Sequence, residues 1–211
     1  MARRLPAAPY PAAPAPPPSG GARWSLPHYV VRERRLSLGR QYEVLDPSGA
    51  LVAYCKQKMF RLREDIRFYT DRTQAVELFR LQATKVLDFN AVLQVIDSAT
   101  GQVVGGVGRR GWKSMLRDHW RILDRDGRVV GAMLEHGSAL SVLRRFIGAL
   151  AIVPHKYELL SGPEGSQRPC GEIQERFQLF GDTYDLRFDP KVLDGRVAIA
   201  LAVCADAMEG E

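Results

Sequence analysis

The fold of this chain is decided by the stretch Asp182-Thr183-Tyr184-Asp185-Leu186-Arg187-Phe188-Asp189-Pro190 and by the segment Val192–Met208 that follows it. The first part alternates apolar and charged residues, which is typical of a half-buried β-strand. The second part contains the uninterrupted apolar run Val197–Ala205, which ends at Asp206. A helix that is apolar on nearly every side must be buried, and this run is much shorter than the roughly 20 residues of a membrane span. The sequence therefore predicts a short C-terminal helix buried inside the protein that is built around it.

Four turn signals divide the preceding part of the chain into similar units. Each begins with an aspartate, and the four aspartates are 25, 26 and 27 residues apart. Aspartate at the first position and glycine near the end suit type I turns and short hairpins. The four turn signals are Asp46-Pro47-Ser48-Gly49, Asp71-Arg72-Thr73-Gln74, Asp97-Ser98-Ala99-Thr100-Gly101 and Asp124-Arg125-Asp126-Gly127. This spacing predicts one β-hairpin per unit, and hence a regular antiparallel barrel or sandwich.

Twelve strands follow from the alternation of apolar and polar residues. The predicted strands are Tyr29–Arg35, Gln41–Leu45, Leu51–Lys58, Asp65–Thr70, Ala75–Lys85, Asn90–Ile96, Val103–Arg110, His119–Leu123, Val129–Glu135, Lys156–Leu160, Gly171–Phe180 and Thr183–Phe188. A sheet of this size closes to remove its edges, and the lumen of such a barrel is too wide for strand side chains alone to fill. We therefore predict an all-β domain, residues 24–211: a closed, twelve-stranded antiparallel barrel around the buried C-terminal helix. The glycines between Gly101 and Gly108 are expected to ease strand curvature or to make room for this helix.

These features resemble the LURP-one-related family, which shares the tubby C-terminal fold with tubby-like proteins and phospholipid scramblases. The resemblance extends from Tyr29 to Met208 and is carried chiefly by Ser37–Gly49 and Tyr184–Met208. It implies a lipid-linked function, because tubby-like members bind phosphoinositides and scramblases are associated with calcium-dependent lipid movement, although many LURP-one-related members have no established activity. Asp182, Asp185 and Asp189 resemble the calcium segment of scramblases only in part. We expect these aspartates to be solvated or paired with arginine.

Residues 1–23 form a separate segment in which seven prolines alternate with alanine before Ser19-Gly20-Gly21. Such a composition cannot build a packed core, so we predict an extended, disordered arm. The arm is either a passive tail or a ligand for a proline-recognising protein partner. Arg3 and Arg4 precede proline rather than an apolar segment, so we predict neither a signal peptide nor a transmembrane span.

The composition of the chain indicates which classes of partner and which cellular compartment to expect. Lys and Arg outnumber Asp and Glu by 30 to 24, which favours acidic partners. Cys55, Cys170 and Cys204 are far apart, so they indicate neither a disulfide framework nor a metal site and favour the reducing cytoplasm. The chain shows no recognition helix or aromatic stacking motif for nucleic acid.

Two basic segments are candidates for contact with anionic phospholipid headgroups. The first is a hairpin end that contains Arg109, Arg110, Trp112 and Lys113, where the tryptophan would lie at the membrane interface. The second is Ser138–Leu150, a predicted amphipathic helix with Arg144 and Arg145 on its polar face, and such a helix can lie on an anionic membrane. The alternative is that this helix packs its apolar face on the barrel and that both segments are ordinary solvated surface.

Enzyme chemistry is not predicted. The four histidines lack the spacing of a zinc site or a catalytic triad, and the glycine-rich segment is not followed by a helix that would bind phosphate. We therefore expect no catalytic residues, no metal and no cofactor. The leading hypothesis is a non-catalytic phospholipid- or phosphoinositide-binding module, cytoplasmic and peripheral at the inner membrane face. Alternatives are a protein-interaction scaffold that uses the proline-rich arm, and a carrier of an apolar ligand, which a helix inside the barrel would disfavour.

Overall fold

We describe a computed structural model of the chain, in residues 20–36, 39–58, 65–84, 92–109, 119–135, 154–178 and 181–209. A 3-10 helix, Gly20–Trp24, precedes twelve strands and a C-terminal helix. The strands are β1 (His28–Leu36), β2 (Gly39–Leu45), β3 (Leu51–Lys58), β4 (Ile66–Tyr69), β5 (Glu77–Ala83), β6 (Val92–Asp97), β7 (Val103–Arg109), β8 (His119–Leu123), β9 (Val129–Glu135), β10 (Lys156–Ser161), β11 (Arg168–Gln178) and β12 (Gly181–Phe188). The helix is α1 (Gly195–Glu209).

The twelve strands form one closed antiparallel barrel in which each strand pairs with its neighbours in sequence. Closure is made by β1 and β12, which pair in register from His28 opposite Arg187 to Arg32 opposite Thr183. The predicted number of strands and the predicted closed barrel are confirmed. The limits of β3, β8 and β9 agree with the prediction, whereas β11 begins at Arg168, three residues before the predicted start.

The four aspartate turns lie in the β2–β3, β4–β5, β6–β7 and β8–β9 connections, which share one end of the barrel. In each turn the first aspartate accepts a backbone N–H through its side chain: Asp46 from Ser48, Asp71 from Thr73, Asp97 from Thr100 and Asp124 from Asp126. A register shift precedes each of these turns in the same hairpin. The repeated spacing in the sequence therefore reflects a repeated hairpin with its bulge and its turn.

Helix α1 occupies the interior of the barrel. Its residues from Ala198 to Cys204 are fully buried, and Val197 is 2% exposed. Asp194 caps the helix, since its Oδ1 accepts the backbone N–H of Arg196 at 2.9 Å, and this cap explains why the helix begins at Gly195 rather than at Val192. A Cβ added at Gly105 of β7 would lie 2.8 Å from Cγ2 of Val197. The predicted role of a strand glycine in making room for the helix is thus confirmed at Gly105.

The two ends of the barrel differ in the connections that they carry. The turn end carries the four aspartate turns, the β10–β11 turn and the segment between β12 and α1. At the opposite end, which we call the connection end, the described strands stop on either side of residues 37–38, 59–64, 85–91, 110–118, 136–153 and 179–180, all of which lie outside the described residues. These segments contain eight Lys or Arg and three Asp or Glu. The connection end therefore joins strands through segments that are basic in composition.

Candidate functional site

The residues predicted to contact lipid belong to two connections of the connection end. Arg109 is the last residue of β7 and lies opposite Trp120 of β8. Arg110, Trp112 and Lys113 lie outside the described residues, between β7 and β8. Arg144 and Arg145, with the predicted helix Ser138–Leu150, also lie outside them, between β9 and β10. Of the described strands, β7 and β9 end and β8 and β10 begin at the connection end of the barrel.

A buried polar cluster surrounds the last turns of α1 at this end. Asp206 is 1% exposed, and its Oδ2 accepts hydrogen bonds from the Tyr42 hydroxyl at 2.6 Å and from Arg40 Nη1 at 2.7 Å. Its Oδ1 accepts a hydrogen bond from the Tyr184 hydroxyl at 2.7 Å. Burial, together with the nearby Asp206 carboxylate, raises the pKa of Tyr42 well above its usual value. One carboxylate therefore ties α1 to β2 and to β12.

Arg40 has a second role in this cluster. Its Nη1 also donates to the backbone carbonyl of Asp206 at 2.9 Å, and its Nε lies 3.5 Å from Oε1 of Glu33. A guanidinium at this position satisfies a carbonyl in the last turns of α1 and interacts favourably with the helix dipole. Arg40 thus supplies both a hydrogen-bond donor and the positive charge that these buried carboxylates require.

Further carboxylates line the inner rim of the barrel at the connection end. The Oε2 atom of Glu175 accepts the backbone N–H of His155 at 2.7 Å, and the His155 Nδ1 atom lies 2.7 Å from Oε1 of Glu135. Asp182 is also buried, and one carboxylate oxygen from each of Glu33, Asp182 and Asp206 lies within 4.8 Å of the others. Oxygen ligands of this kind suit a hard cation. Arg40 and two tyrosine hydroxyls already occupy the Asp206 oxygens, so we interpret the cluster as a structural network.

On the outer face of the barrel, Asp185 contacts three basic side chains. Its Oδ2 accepts a hydrogen bond from Arg176 Nη2 at 2.7 Å, its Oδ1 accepts one from Arg187 Nε at 3.2 Å, and His28 Nε2 lies 2.9 Å from Oδ1. The prediction that Asp185 pairs with arginine is confirmed. Asp182 faces the interior instead, because it lies in the cluster around α1. Asp185 and Asp182, which both belong to the part of β12 that resembles the scramblase calcium segment, therefore lie on opposite faces of the sheet.

Thr183 lies between two arginines on the same outer face. Arg32 of β1 and Arg176 of β11 are directly opposite Thr183 in the two ladders, and directly opposed residues share a face of the sheet. That face is the outer one, because the adjacent Tyr184 points to Asp206 inside the barrel. The Thr183 hydroxyl is buried and has no hydrogen-bond partner in the part of the chain that the structure describes. We call Arg32, Thr183 and Arg176 the outer row.

The sequence predicts neither the buried cluster nor the outer row. Asp206 was recognised only as the charge that ends the apolar run of the helix. A single acidic residue at the end of an otherwise buried helix is itself the signal, because a buried carboxylate requires donors from the surrounding strands. The outer row has no comparable signal, since it depends on the register between three strands that are far apart in sequence.

No helix within the described part of the chain is long and apolar enough to cross a bilayer. Two clefts open on the outer surface beside β11. One, of about 420 Å³, is lined by Lys156, Glu158, Pro169, Gly171, Glu172 and Arg187, and the other, of about 640 Å³, lies by the β10–β11 turn and Val192. Both clefts lie outside the barrel, whose interior is filled by α1.

A closed antiparallel barrel of twelve strands around its own C-terminal helix defines the class of the protein as a tubby C-terminal-like fold. Comparison with known proteins then identifies the family. The family model described as LURP-one-related matches residues 52–206, and the chain belongs to this family, which is not a known family of enzymes. No curated protein matches the chain. The chain is similar to a solved structure of a protein from Arabidopsis thaliana, with 13% sequence identity and a TM-score of 0.49, over 90% of this chain and 99% of the other.

Proposed function

We propose that the protein is a non-catalytic, membrane-peripheral module that binds anionic phospholipid headgroups through the connection end of its barrel. The observation that carries this proposal is the composition of the segments that join the strands there, in which eight basic residues stand against three acidic ones. Clusters of Lys and Arg are attracted to the negative surface of an anionic leaflet, at about 1 kcal/mol for each cation near the surface. Trp112, between Arg110 and Lys113, adds a side chain that favours the membrane interface.

The filled interior supports binding at the surface rather than inside the barrel. The seven residues from Ala198 to Cys204 are fully buried around the entire helix. An apolar ligand such as a lipid chain would have to displace α1, and with it the hydrogen bonds of Asp206. We therefore place the lipid headgroup outside the barrel, and we do not favour a carrier of apolar ligands.

The two ends of the barrel differ in charge, and this difference predicts how the protein is oriented at a membrane. The turn end presents aspartates at each of its four repeated turns, namely Asp46, Asp71, Asp97 and Asp124. Acidic residues at this end are repelled by an anionic surface, whereas basic residues at the opposite end are attracted. The protein is expected to approach a membrane with the connection end first.

We place the protein in the cytoplasm, at the inner face of the membrane. Its three cysteines are free thiols, and Cys55 and Cys204 are buried. Thiols that persist without disulfides are typical of a reducing compartment. The cytoplasmic leaflet also carries the anionic lipids that this proposal requires.

The test is co-sedimentation of the full chain with vesicles of phosphatidylcholine alone and of phosphatidylcholine mixed with phosphatidylserine, at low and at physiological salt. We expect binding only to the anionic vesicles, and stronger binding at low salt because screening is weaker there. The double substitution Arg144→Glu and Arg145→Glu is expected to weaken binding by about tenfold or more. Trp112→Ala should weaken binding that remains at physiological salt.

The matched control changes the same amount of charge at the turn end. Arg125 and Arg168 are exposed residues there, and replacing both with glutamate should reduce vesicle binding much less than the changes at Arg144 and Arg145. Equal losses from the two double variants would show a non-specific dependence on net charge. Failure of the wild-type chain to bind anionic vesicles even at low salt would disprove the proposal, and would direct the search to protein partners of the proline-rich arm.

A further inference from the structure

We propose that the segment Arg3-Arg4-Leu5-Pro6-Ala7-Ala8-Pro9, which we call the arm motif, is the ligand of a partner protein with a groove of the SH3 type. Such a groove has aromatic pockets that receive proline and an acidic pocket that receives the guanidinium of an arginine. The inference concerns the proline-rich arm and does not depend on the proposed lipid function. It narrows the alternative of a protein-interaction scaffold to a partner of one defined chemistry.

The spacing within the arm motif carries the inference. A polyproline II helix has three residues per turn, so in this conformation Arg3, Pro6 and Pro9 lie on one side of the helix. Grooves of the SH3 type bind Pro-x-x-Pro segments as polyproline II helices, and proline restricts the backbone to the required φ angle before binding. The pairs Leu5-Pro6 and Ala8-Pro9 would fill two adjacent apolar pockets. The Arg3 guanidinium would form a forked ion pair with a carboxylate beside these pockets.

The rest of the arm shows that this arrangement is specific to the arm motif. Two further Pro-x-x-Pro segments follow it, at Pro11–Pro14 and at Pro14–Pro17, but neither has a basic residue three positions before its first proline or two positions after its second. Tyr10 follows Ala7-Ala8-Pro9, which is not the Pro-Pro-x-Tyr sequence that WW domains bind. Because Arg3 precedes the prolines, the sequence also predicts one direction of the chain in the groove.

The described residues that follow the arm fix its point of attachment. The 3-10 helix Gly20–Trp24 packs on the start of α1, since Trp24 is 7% exposed and a Cβ added at Gly195 would lie 2.5 Å from the Trp24 carbonyl oxygen. The Tyr29 hydroxyl donates to the carbonyl oxygen of Arg23 at 2.7 Å. The chain is thus held to the barrel directly after the arm.

Arg196 shows that this attachment lies at the turn end. Its guanidinium lies 5.8 Å from the centroid of the Trp24 ring, and its Nη1 contacts Oδ2 of Asp97 at 2.5 Å. Asp97 is the aspartate of the β6–β7 turn, one of the four repeated turns at this end. The arm is therefore attached opposite the connection end. A partner bound to the arm and a membrane bound to the connection end would contact different ends of the molecule.

The length of chain between the arm motif and the 3-10 helix leaves room for a folded partner. Ten residues, Tyr10–Ser19, separate the two, and at about 3.1 Å per residue of polyproline II they can span about 30 Å. A domain of about 60 residues has a radius of gyration of only about 10 Å. The two clefts beside β11 have no aromatic residue in their linings, so they do not offer pockets of the SH3 type. The occupant is therefore a separate protein.

The test is calorimetric titration of the full chain with a set of purified SH3 domains that select Arg-x-x-Pro-x-x-Pro ligands. Saturable binding of one domain per chain is expected from members of this set. The variant Pro6→Ala with Pro9→Ala should weaken binding by about tenfold or more, because it removes two pocket contacts and increases the conformational entropy that is lost on binding. The matched control, Pro11→Ala with Pro14→Ala, makes the same change in a Pro-x-x-Pro segment without an arginine, and should weaken binding by less than about twofold.

A second pair of variants separates a specific ion pair from general attraction between charges. Arg3→Gln should weaken binding by about tenfold, as expected for the loss of a forked hydrogen bond between charged groups. Arg4→Gln removes the same charge one position later, where a helix of three residues per turn directs the side chain elsewhere, and should weaken binding by less than about threefold. None of the four variants changes a described residue, so each should keep the urea denaturation curve of the wild-type chain.

Three outcomes would overturn the inference. The first is that no member of the set binds the wild-type chain. The second is an equal loss of affinity in the two double proline variants, which would mean that proline content alone is recognised. The third is an equal loss in Arg3→Gln and Arg4→Gln, which would mean that the arginines act only through net charge. These outcomes do not involve vesicles, so the failure of this inference and the failure of the proposed lipid function are distinguishable.

Discussion

At the scale of single residues, Asp206 holds the last turns of α1 to the barrel wall. Its two oxygens accept hydrogen bonds from the Tyr42 hydroxyl at 2.6 Å, from the Tyr184 hydroxyl at 2.7 Å and from Arg40 at 2.7 Å. The donors come from strands at opposite ends of the sequence, and the acceptor comes from the helix that they surround. The cluster therefore fixes the depth to which α1 enters the barrel, a position that apolar contacts alone would leave adjustable.

This constraint gives a prediction for stability. Asp206→Asn should lower the free energy of unfolding by about 3 kcal/mol, because it leaves the half-buried Arg40 guanidinium without its closest counter-charge. Tyr42→Phe should cost less, about 1–2 kcal/mol, because Asp206 keeps two of its donors. Both values are obtained from urea denaturation curves of the purified variants.

The control for this prediction is Asp126→Asn, which changes the same chemical group in an exposed turn where Asp126 contacts Arg128. That variant should change the free energy of unfolding by less than about 0.5 kcal/mol. If Asp206→Asn were as mild as the control, the polar cluster would contribute nothing to the placement of α1, and the helix would be held by apolar packing alone.

The difference between Asp206 and Asp185 shows what could be predicted for single residues. The pairing of Asp185 with arginine could be anticipated, because Arg187 is two residues away on the same face of one strand. The partners of Asp206 could not, because Tyr42 is 164 positions earlier in the chain. A sequence read locally identifies partners within an element, whereas partners that meet through closure of the barrel require the register of all twelve strands.

At the scale of elements, the contact between β7 and α1 depends on the absence of one side chain. Gly105 lies where an added Cβ would be 2.8 Å from Cγ2 of Val197 and 2.9 Å from the carbonyl oxygen of Leu123. Such distances are too short for carbon in a packed core. The helix can therefore approach β7 only because this position is glycine.

A double-mutant cycle tests this contact. Gly105→Ala should lower the free energy of unfolding by about 1–3 kcal/mol through overpacking, and Val197→Ala should lower it by about 2 kcal/mol through the cavity that it leaves. The double variant should be more stable than the sum of the two effects predicts, by about 1 kcal/mol, because each change relieves the other. Urea denaturation of the four proteins gives the coupling energy.

The neighbouring glycine serves as the reference for this cycle. A Cβ at Gly106 would meet the Leu93 carbonyl oxygen at 3.2 Å and no atom of α1 among its nearest neighbours. Gly106→Ala combined with Val197→Ala should therefore give additive effects. Equal coupling energies for both glycines would mean that the coupling arises from general loosening of the core and not from the contact between β7 and α1.

The elements themselves were predicted well because each is encoded locally. Alternation predicted all twelve strands, and the limits of β3, β8 and β9 were predicted to the residue. The start of α1 was placed three residues early, because the apolar Val192 and Leu193 resemble helix residues, whereas Asp194 in fact caps the helix. The predicted helix Ser138–Leu150 and residues 1–19 of the predicted arm, residues 1–23, lie outside the described residues and remain predictions. The last four residues of that arm are not extended, since they belong to the 3-10 helix Gly20–Trp24.

At the scale of the whole molecule, burial of ionisable groups makes stability depend on pH in the alkaline range. Burial raises the pKa of the Cys55 and Cys204 thiols from 9.0 to about 12, and burial likewise raises the pKa of Tyr29 from 10.0 to about 12. The unfolded chain releases these protons at lower pH than the folded chain does. Their contribution to stability is therefore complete below about pH 9 and is lost as pH rises toward about 12.

We predict that the free energy of unfolding is nearly constant between about pH 7 and pH 8.5 and falls by about 3 kcal/mol by about pH 10, when urea denaturation is measured with reductant present. The variant Cys55→Ala with Cys204→Ala should be less stable at neutral pH but should show a shallower decline, because two of the titrating groups are gone. A decline of the same steepness in the variant would show that the thiols do not cause it.

The proposed function also belongs to this scale, because it depends on how charge is divided between the two ends of the barrel. The turn end could be described from the sequence and then confirmed, since its aspartates bond to their own turns. The connection end could be described only by composition, and its part in lipid binding was proposed rather than confirmed. Short turns encode their own geometry, whereas long connections take theirs from what they pack against.

Closure of the barrel between β1 and β12 affects how the protein folds during its synthesis on the ribosome. Strand β1 cannot form its pairing with β12 until β12 has been synthesised. Helix α1 follows β12 in the sequence, so it must enter the barrel while the wall is being completed. Pairings of such long sequence separation form slowly, and until they form the nascent chain exposes two unpaired strand edges and an apolar lumen. Synthesis of β12 must therefore precede closure of the barrel, and a chaperone that shields the growing half-barrel would raise the yield of folded protein.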